Sequence, residues 1–397
     1  MNQRWSRALA AVLSLAVLAV LATAGIVAAA DPGTVTSVKV DKAPALDGQV
    51  EATWNNAPAT TVDVAGGVNL QNGATKVNLR SVYTSDSVFF LAEWADPTRS
   101  ERRSPWVKQA DGSWKKLSDP NDKGGDNNLY YEDKMALIWN VNNSIKGFNE
   151  QGCAVLCHAG EPGKPYGNKY TASPGEIGDI WHWKSIRTGT VGQIDDQYVD
   201  DTRYEKDKAP EAGRKSDAKT AGGYADIALK DGKPEFAAPG QKPAPPYWLP
   251  DKDKVALDDS KFKANDEVAS ILVAPFQGDR GDISASTNTW KDGKWTLEWG
   301  RKLDTGSKTD VQYTDLSKTY SFGIAVFDNA QVRHAFSGVQ KLAFQTASAP
   351  PAATAQAAQP AQLPKTGGDS ALPLLQLAIA AAASAGLGSI IRRVTHR

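Results

Sequence analysis

Between residues 31 and 346 no stretch repeats apolar side chains at the i, i+3, i+4, i+7 spacing of a packed helix. Short alternating runs take its place. Residues 36–40 (TSVKV), 76–84 (KVNLRSVYT), 87–96 (SVFFLAEWAD), 133–141 (DKMALIWNV), 180–184, 269–273, 294–299, 320–328 and 339–344 are rich in branched and aromatic side chains, with Gly and Pro between them. Successive side chains of a strand point to opposite faces, so runs of this kind build half-buried sheets. Ser85-Asp86 separates two of them as a hairpin turn would. The expected fold is all-β, an antiparallel sandwich. Residues 200–263 turn polar, dominated by Gly, Pro, Lys and Asp, and are read as a long loop insertion without a core of its own. No internal repeat is visible.

Composition narrows the function classes. The chain has 397 residues with 45 basic and 45 acidic side chains. Arg4, Arg7, Arg392, Arg393 and Arg397 lie at the two ends, so the body is mildly acidic. Nucleic-acid binding needs a basic face to neutralise phosphates, and is not expected. Two cysteines exclude a disulfide-dense scaffold. Twelve tryptophans beside 34 Gly and 22 Pro fit a strand-and-loop protein.

The ends indicate an exported protein. Arg4 and Arg7 precede an uncharged apolar run that closes on Ala28-Ala29-Ala30, so residues 1–30 read as a signal peptide cleaved before Asp31. The other reading is a retained N-terminal anchor. After residue 346 an Ala/Pro/Gln linker covers 347–362. Leu363-Pro364-Lys365-Thr366-Gly367 follows, then an uncharged run over 370–391, long enough for a transmembrane helix, and a basic tail. This order resembles the cell-wall sorting signal of sortase substrates. The resemblance implies cleavage between Thr366 and Gly367 and attachment to the envelope. The alternative is a helix retained as a membrane anchor. Both readings place residues 31–346 outside the cytoplasm, anchored by their C-terminal end.

Chemistry concentrates at Cys153-Ala154-Val155-Leu156-Cys157-His158, the only cysteine-bearing segment. C-x-x-x-C-H is one residue longer than the common C-x-x-C-H haem attachment pattern. Two thiols would add across the haem vinyl groups, and His158 would serve the iron as an axial ligand. A Cys153–Cys157 disulfide and a metal site short of its fourth ligand remain open at this point.

The segment from CAVLCHAG through GDIWHWKSIRTG to Asp195-Asp196 resembles haem-binding domains of the ethylbenzene dehydrogenase γ-subunit type. So do residues 301–305 (RKLDT), 310–316 (DVQYTDL) and 320–336 (YSFGIAVFDNAQVRHAF). The γ subunits of dimethylsulfide dehydrogenase and chlorate reductase, and cytochromes with a DOMON-like sandwich, belong to the same group. The resemblance implies a β-sandwich carrying one haem between loops at one end and passing single electrons, with a partner that for the γ subunits is a molybdenum oxidoreductase. The b-type γ subunits hold haem through Met and Lys. Their Met lies shortly before the W-x-W-K strand, where this chain has CAVLCHAG, so the resemblance implies that His158 replaces it. Their Lys follows a His near the domain's end, but here His334 is followed by Ala335. The sixth ligand is therefore open among His334, His182 and Met135. In a strand, His182 would share a face with Ile180 and Lys184, opposite Trp181 and Trp183.

The expectation is an envelope-anchored c-type cytochrome with one covalent haem, an electron carrier rather than a stand-alone enzyme. No nucleophile–base pair, phosphate loop or H-E-x-x-H occurs in the sequence. The alternative is a carbohydrate-binding sandwich in which Cys153–Cys157 is a disulfide and exposed tryptophans stack on sugars. The stretch at 119–126 fails as an EF-hand, because Lys123 and Tyr130 stand where oxygen ligands are needed.

Overall fold

The computed structural model describes residues 33–121, 130–157, 169–287 and 289–346. The signal segment, the linker, the sorting motif, the C-terminal apolar run and His158 lie outside the described residues. Among those described, no helix is long and apolar enough to cross a membrane.

The alternating runs form strands with nearly the expected bounds. Ala74–Tyr83 and Ser87–Ala95 make the hairpin, and Lys134–Asn140, Gly178–Lys184, Lys294–Lys302, Thr319–Phe327 and Gln340–Gln345 follow. They belong to one 14-stranded sheet that folds over on itself. One layer runs Arg214–Ser216, Asp195–Val199, Gly178–Lys184, Lys134–Asn140, Thr319–Phe327, all antiparallel. The other runs Thr60–Ala65, Ala74–Tyr83, Ser87–Ala95, Lys294–Lys302. Thr34–Lys39 joins them and departs from the antiparallel expectation. It runs parallel to Gln340–Gln345 on one side and to Ala74–Tyr83 on the other. A strand arriving from the N-terminal end has no hairpin to fix its direction, and the long intervening chain permits parallel pairing.

The two-residue period decides what each layer buries. Met135, Leu137, Trp139, Trp181, Trp183, Phe322 and Ile324 point inward, against Leu79, Phe90, Trp94, Trp295, Leu297 and Trp299. The rings interlock: Phe90 stacks on Trp299 at 5.2 Å, and Trp183 meets Trp295 edge-on at 4.9 Å. Seven tryptophans are almost wholly buried, and no tryptophan is among the exposed large apolar residues. These seven tryptophans are thus core material, while Trp106, Trp248 and Trp290 are half-buried.

Residues 200–263 carry more structure than loops. Ala221–Asp226 pairs with Ile271–Gln277, and Phe236–Ala237 with Val255–Ala256. Ala237, Leu257 and Phe262 bury themselves with Trp114 and Val268. Single apolar residues set between Gly and Pro give no periodic signal, yet they close small clusters against the sandwich.

Replacing Trp299 with Ala removes the ring on which Phe90 stacks. The expected loss of unfolding free energy is about 3–5 kcal/mol, to be read from urea denaturation monitored by circular dichroism.

Candidate functional site

The layer that buries its tryptophans inward presents a different set of side chains outward. Ladder partners share a face, so Lys134, Ala136 and Ile138 stand beside Ile180, His182 and Lys184 on one side and Gly323, Ala325 and Phe327 on the other. Gly323, Ala325 and Ala136 are small, and they leave a depression. It deepens into a cavity of about 240 Å³ lined by these residues with Cys153, Arg187, Arg214, Tyr224 and His334.

Local sequence places the cysteine there. Gly152 sits at φ +65°, and a Cβ on it would meet the Val339 nitrogen at 2.9 Å, so only glycine fits. The next residue, Cys153, is buried and packs with Ile138, Ile145, Phe148, Leu156 and Val199. A Cβ on Gly323 would lie 3.4 Å from the Cys153 Sγ, an ordinary van der Waals contact, so the thiol and the Gly323 backbone are close neighbours. Cys157 ends the helical turn Ala154–Cys157 that follows.

His182 is 6% exposed and its Nε2 has no hydrogen-bond partner. Its Nδ1 lies 3.3 Å from Gln197 Oε1. The Gln197 Nε2 donates to Ser216 Oγ at 3.2 Å, which fixes the amide with its oxygen toward the imidazole. Nδ1 therefore carries the proton and donates it, and the Nε2 lone pair is left available. Burial, reinforced by Lys184 and Lys134, holds the imidazole well below the usual histidine range, so it is neutral. His334 also lines the cavity, its Nδ1 donating to the Val332 carbonyl at 2.6 Å. Phe327 leans on both imidazoles, at 5.7 Å from His182 and 4.5 Å from His334.

Met135 does not join them. It is fully buried on the opposite face of its strand, within the inter-layer core. A residue one position from Lys134 and Ala136 has to point away from the cavity they line.

Sequence reasoning missed the cations. Lys184 is ion-paired with Asp195, which Arg280 also holds at 2.5 Å and to which the Tyr224 hydroxyl donates. Arg187 pairs with the buried Glu132. Lys134 has no carboxylate within ion-pair reach among the described residues. Its Nζ donates to the Gln331 carbonyl at 2.9 Å and lies 4.0 Å over the Phe327 ring. Burial, and then Arg187, pull Lys134 well below the usual lysine range. The cavity thus offers an uncompensated amine, suited to an anionic ligand. The signal was present: Lys134 and Lys184 stand two positions from Ala136 and His182 on the same face.

Fold and cavity define an all-β protein with a cavity on the outer face of its sheet. The chain belongs to the ethylbenzene dehydrogenase family, whose model matches residues 51–337. No curated protein matches it. Among solved structures it is similar to a family 9 carbohydrate-binding module from Caldicellulosiruptor kristjanssonii in complex with glucose, at 10% identity, covering 79% of this chain and 97% of that one, TM-score 0.28. The same module in complex with cellotriose matches at 9% identity, over 79% and 95%, TM-score 0.30. A carbohydrate-binding protein from Bacteroides uniformis matches at 9% identity, over 79% and 100%, TM-score 0.33. Overlaps this loose support no inference about fold or ligand.

Asp195 gives a pH prediction. Burial works against its charge, but Lys184 and Arg280 hold its carboxyl down at about 2. That is below the unfolded value of about 3.9. Its contribution is therefore complete above about pH 4 and is lost as pH falls toward 2. Asp195→Asn is expected to cost about 3–5 kcal/mol at neutral pH by stranding two cations. In denaturant titrations the gap to the wild type should narrow between pH 4 and 2.

Proposed function

We propose that this chain carries one covalently attached haem on the outer face of its sheet and passes single electrons to or from a partner oxidoreductase. The observation that carries this reading is the buried, neutral His182, whose unpartnered Nε2 faces a cavity that Cys153 also lines. A neutral imidazole held by a hydrogen bond at its other nitrogen is the form that ligates iron. When bound, haem would supply one-electron chemistry at its iron.

The residues present fit such a group. Ala136, Ala325 and Gly323 leave space over the sheet, Phe327 offers an aromatic edge, Arg187 and Arg214 offer positive charge and Lys134 a hydrogen-bond donor for the two haem carboxylates. Cys153 and Cys157 would attach it, and His158 would be the proximal ligand. Gln197 would keep the His182 lone pair aimed at the cavity. His182 takes precedence over His334 as sixth ligand in this reading, and Met135 drops out because it faces the core. Export by residues 1–30 and anchoring through Leu363, Pro364, Thr366 and Gly367, by sortase or by a retained membrane helix, would place the carrier in the cell envelope. A molybdenum oxidoreductase is one fitting partner.

A second reading, a carbohydrate-binding module, is favoured by one feature. An open cleft of about 480 Å³ brings Tyr131, Tyr247 and Trp248 beside Arg99, Glu101, Arg102 and Asn329. Aromatic faces flanked by polar groups suit sugar rings.

The experiment is expression of residues 31–346 with a cytochrome maturation apparatus. A pyridine haemochrome spectrum of the c type and a mass of apoprotein plus one haem are expected. Cys153→Ala should leave at most one thioether bond. His182→Ala should convert a low-spin spectrum to high-spin, while a change with His334→Ala alone would move the assignment to His334. A bare apoprotein mass, together with retention on cell-wall or plant polysaccharide, would favour the second reading.

A further inference from the structure

Several motifs singled out in the sequence do not meet at the cavity. Asp179 of GDIW, Asp196 of the Asp195-Asp196 pair, Arg301 of RKLDT and Asp310 of DVQYTDL converge on the inner side of the same sheet. An oxygen from each of Asp179, Asp196 and Asp310 lies within 4.8 Å of the others, and all three residues are buried. Asp310 is also shared with Asp217 and Asp279 at the same spacing.

Charge does not balance there. Arg301 is the cation among these groups, with Nη1 at 3.3 Å from Asp179, 3.4 Å from Asp310 and 3.8 Å from Asp196. One guanidinium faces three buried carboxylates, with Asp217 a fourth. Hydrogen bonds satisfy part of the set: the Val311 N–H donates to Asp179, the Thr305 hydroxyl to Asp310 and the Thr309 hydroxyl to Asp217. Many oxygens are left over. No N–H or hydroxyl reaches either Asp196 oxygen, the Asp282 carboxyl being the group within hydrogen-bonding reach, and one oxygen each of Asp179, Asp310 and Asp217 is buried without a partner. Asp217 is 6% exposed and comes from a separate segment, yet its carboxylate turns toward Asp310. The Tyr313 hydroxyl, beside Arg301 and fully buried, is likewise without a partner.

We propose that Asp179, Asp196 and Asp310, extended by Asp217, bind one hard divalent cation of the calcium class. Calcium takes six to eight oxygen ligands at about 2.3–2.6 Å, so oxygens on opposite sides of one ion stand about 4.8 Å apart. The orphan oxygens meet that reach and supply what such an ion needs. Asp279, which shares the cluster of Asp217 and Asp310, is half-buried and accepts from the Ser307 hydroxyl at 3.0 Å. The site is independent of the haem reading.

A second buried triad, Asp96, Asp133 and Asp328, serves as the internal contrast. Backbone N–H groups of Ser100 and Asn329 already satisfy both Asp133 oxygens, and Asp96 has one orphan oxygen.

The test is thermal unfolding of the purified chain in calcium and in EDTA. Calcium is expected to raise the melting temperature by about 5 °C or more at saturation. Asp196→Asn should abolish that rise while melting no lower than the wild type in EDTA, because it relieves crowding. Asp96→Asn should leave the rise intact. Terbium, a hard trivalent probe, should show emission sensitised through nearby Trp181 in the wild type and not in Asp196→Asn. Equal melting in calcium and EDTA, no sensitised terbium emission, or loss of the calcium response in Asp96→Asn instead of Asp196→Asn would overturn the proposal. Should Asp196→Asn fail to fold, the wild-type terbium titration still decides.

Discussion

Everything in this molecule depends on the strict alternation of Lys134–Asn140 and Gly178–Lys184. Met135, Leu137, Trp139, Trp181 and Trp183 go one way, and Lys134, Ala136, His182 and Lys184 go the other. A shift of one residue in register would put Lys134, Lys184 and His182 into the tryptophan core and the tryptophans into solvent. The core therefore fixes the cavity: burying Trp181 and Trp183 obliges His182 to face outward, and burying Met135 obliges Lys134 and Ala136 to do the same. Cavity-lining groups and core groups are alternate residues of the same strands.

The strands were readable because two-residue periodicity is local. Their parallel first member was not, since direction is set by a partner at the far end of the chain. The apolar clusters of residues 200–263 were hidden for a related reason, as their members are single residues spaced by Gly and Pro. At the site, His182 and His334 were legible as residue types, and the facing of His182 followed from its neighbours. Which groups surround them was not legible. Gly323 and Cys153 meet through folding, and nothing near Cys153 in the sequence announces that contact. The acidic basin shows the same limit: each Asp read alone is a turn or strand-end residue, and only the sheet brings four to one point.

Charge is sorted across one sheet. Its outer face gathers buried amines and guanidinium groups, among them a lysine without a carboxylate. Its inner side gathers carboxylates in excess of their arginine. Each set is costly to bury alone. The two imbalances have opposite sign and lie on opposite sides of Gly178–Lys184, with Asp179 inside and Lys184 outside. They do not cancel by contact, so each would be balanced by a ligand of the opposite sign.

The pairing of Thr34–Lys39 with Gln340–Gln345 bears on mechanical load. The two strands run in the same direction side by side, so the chain enters the sandwich near one end of the pair and leaves near the other. Tension drawn between those points would act along the strands, and the rungs of the ladder would share it at once, whereas a hairpin pulled at its open end parts rung by rung. A domain pulled from both ends would thus resist in the geometry where a β-ladder is strongest.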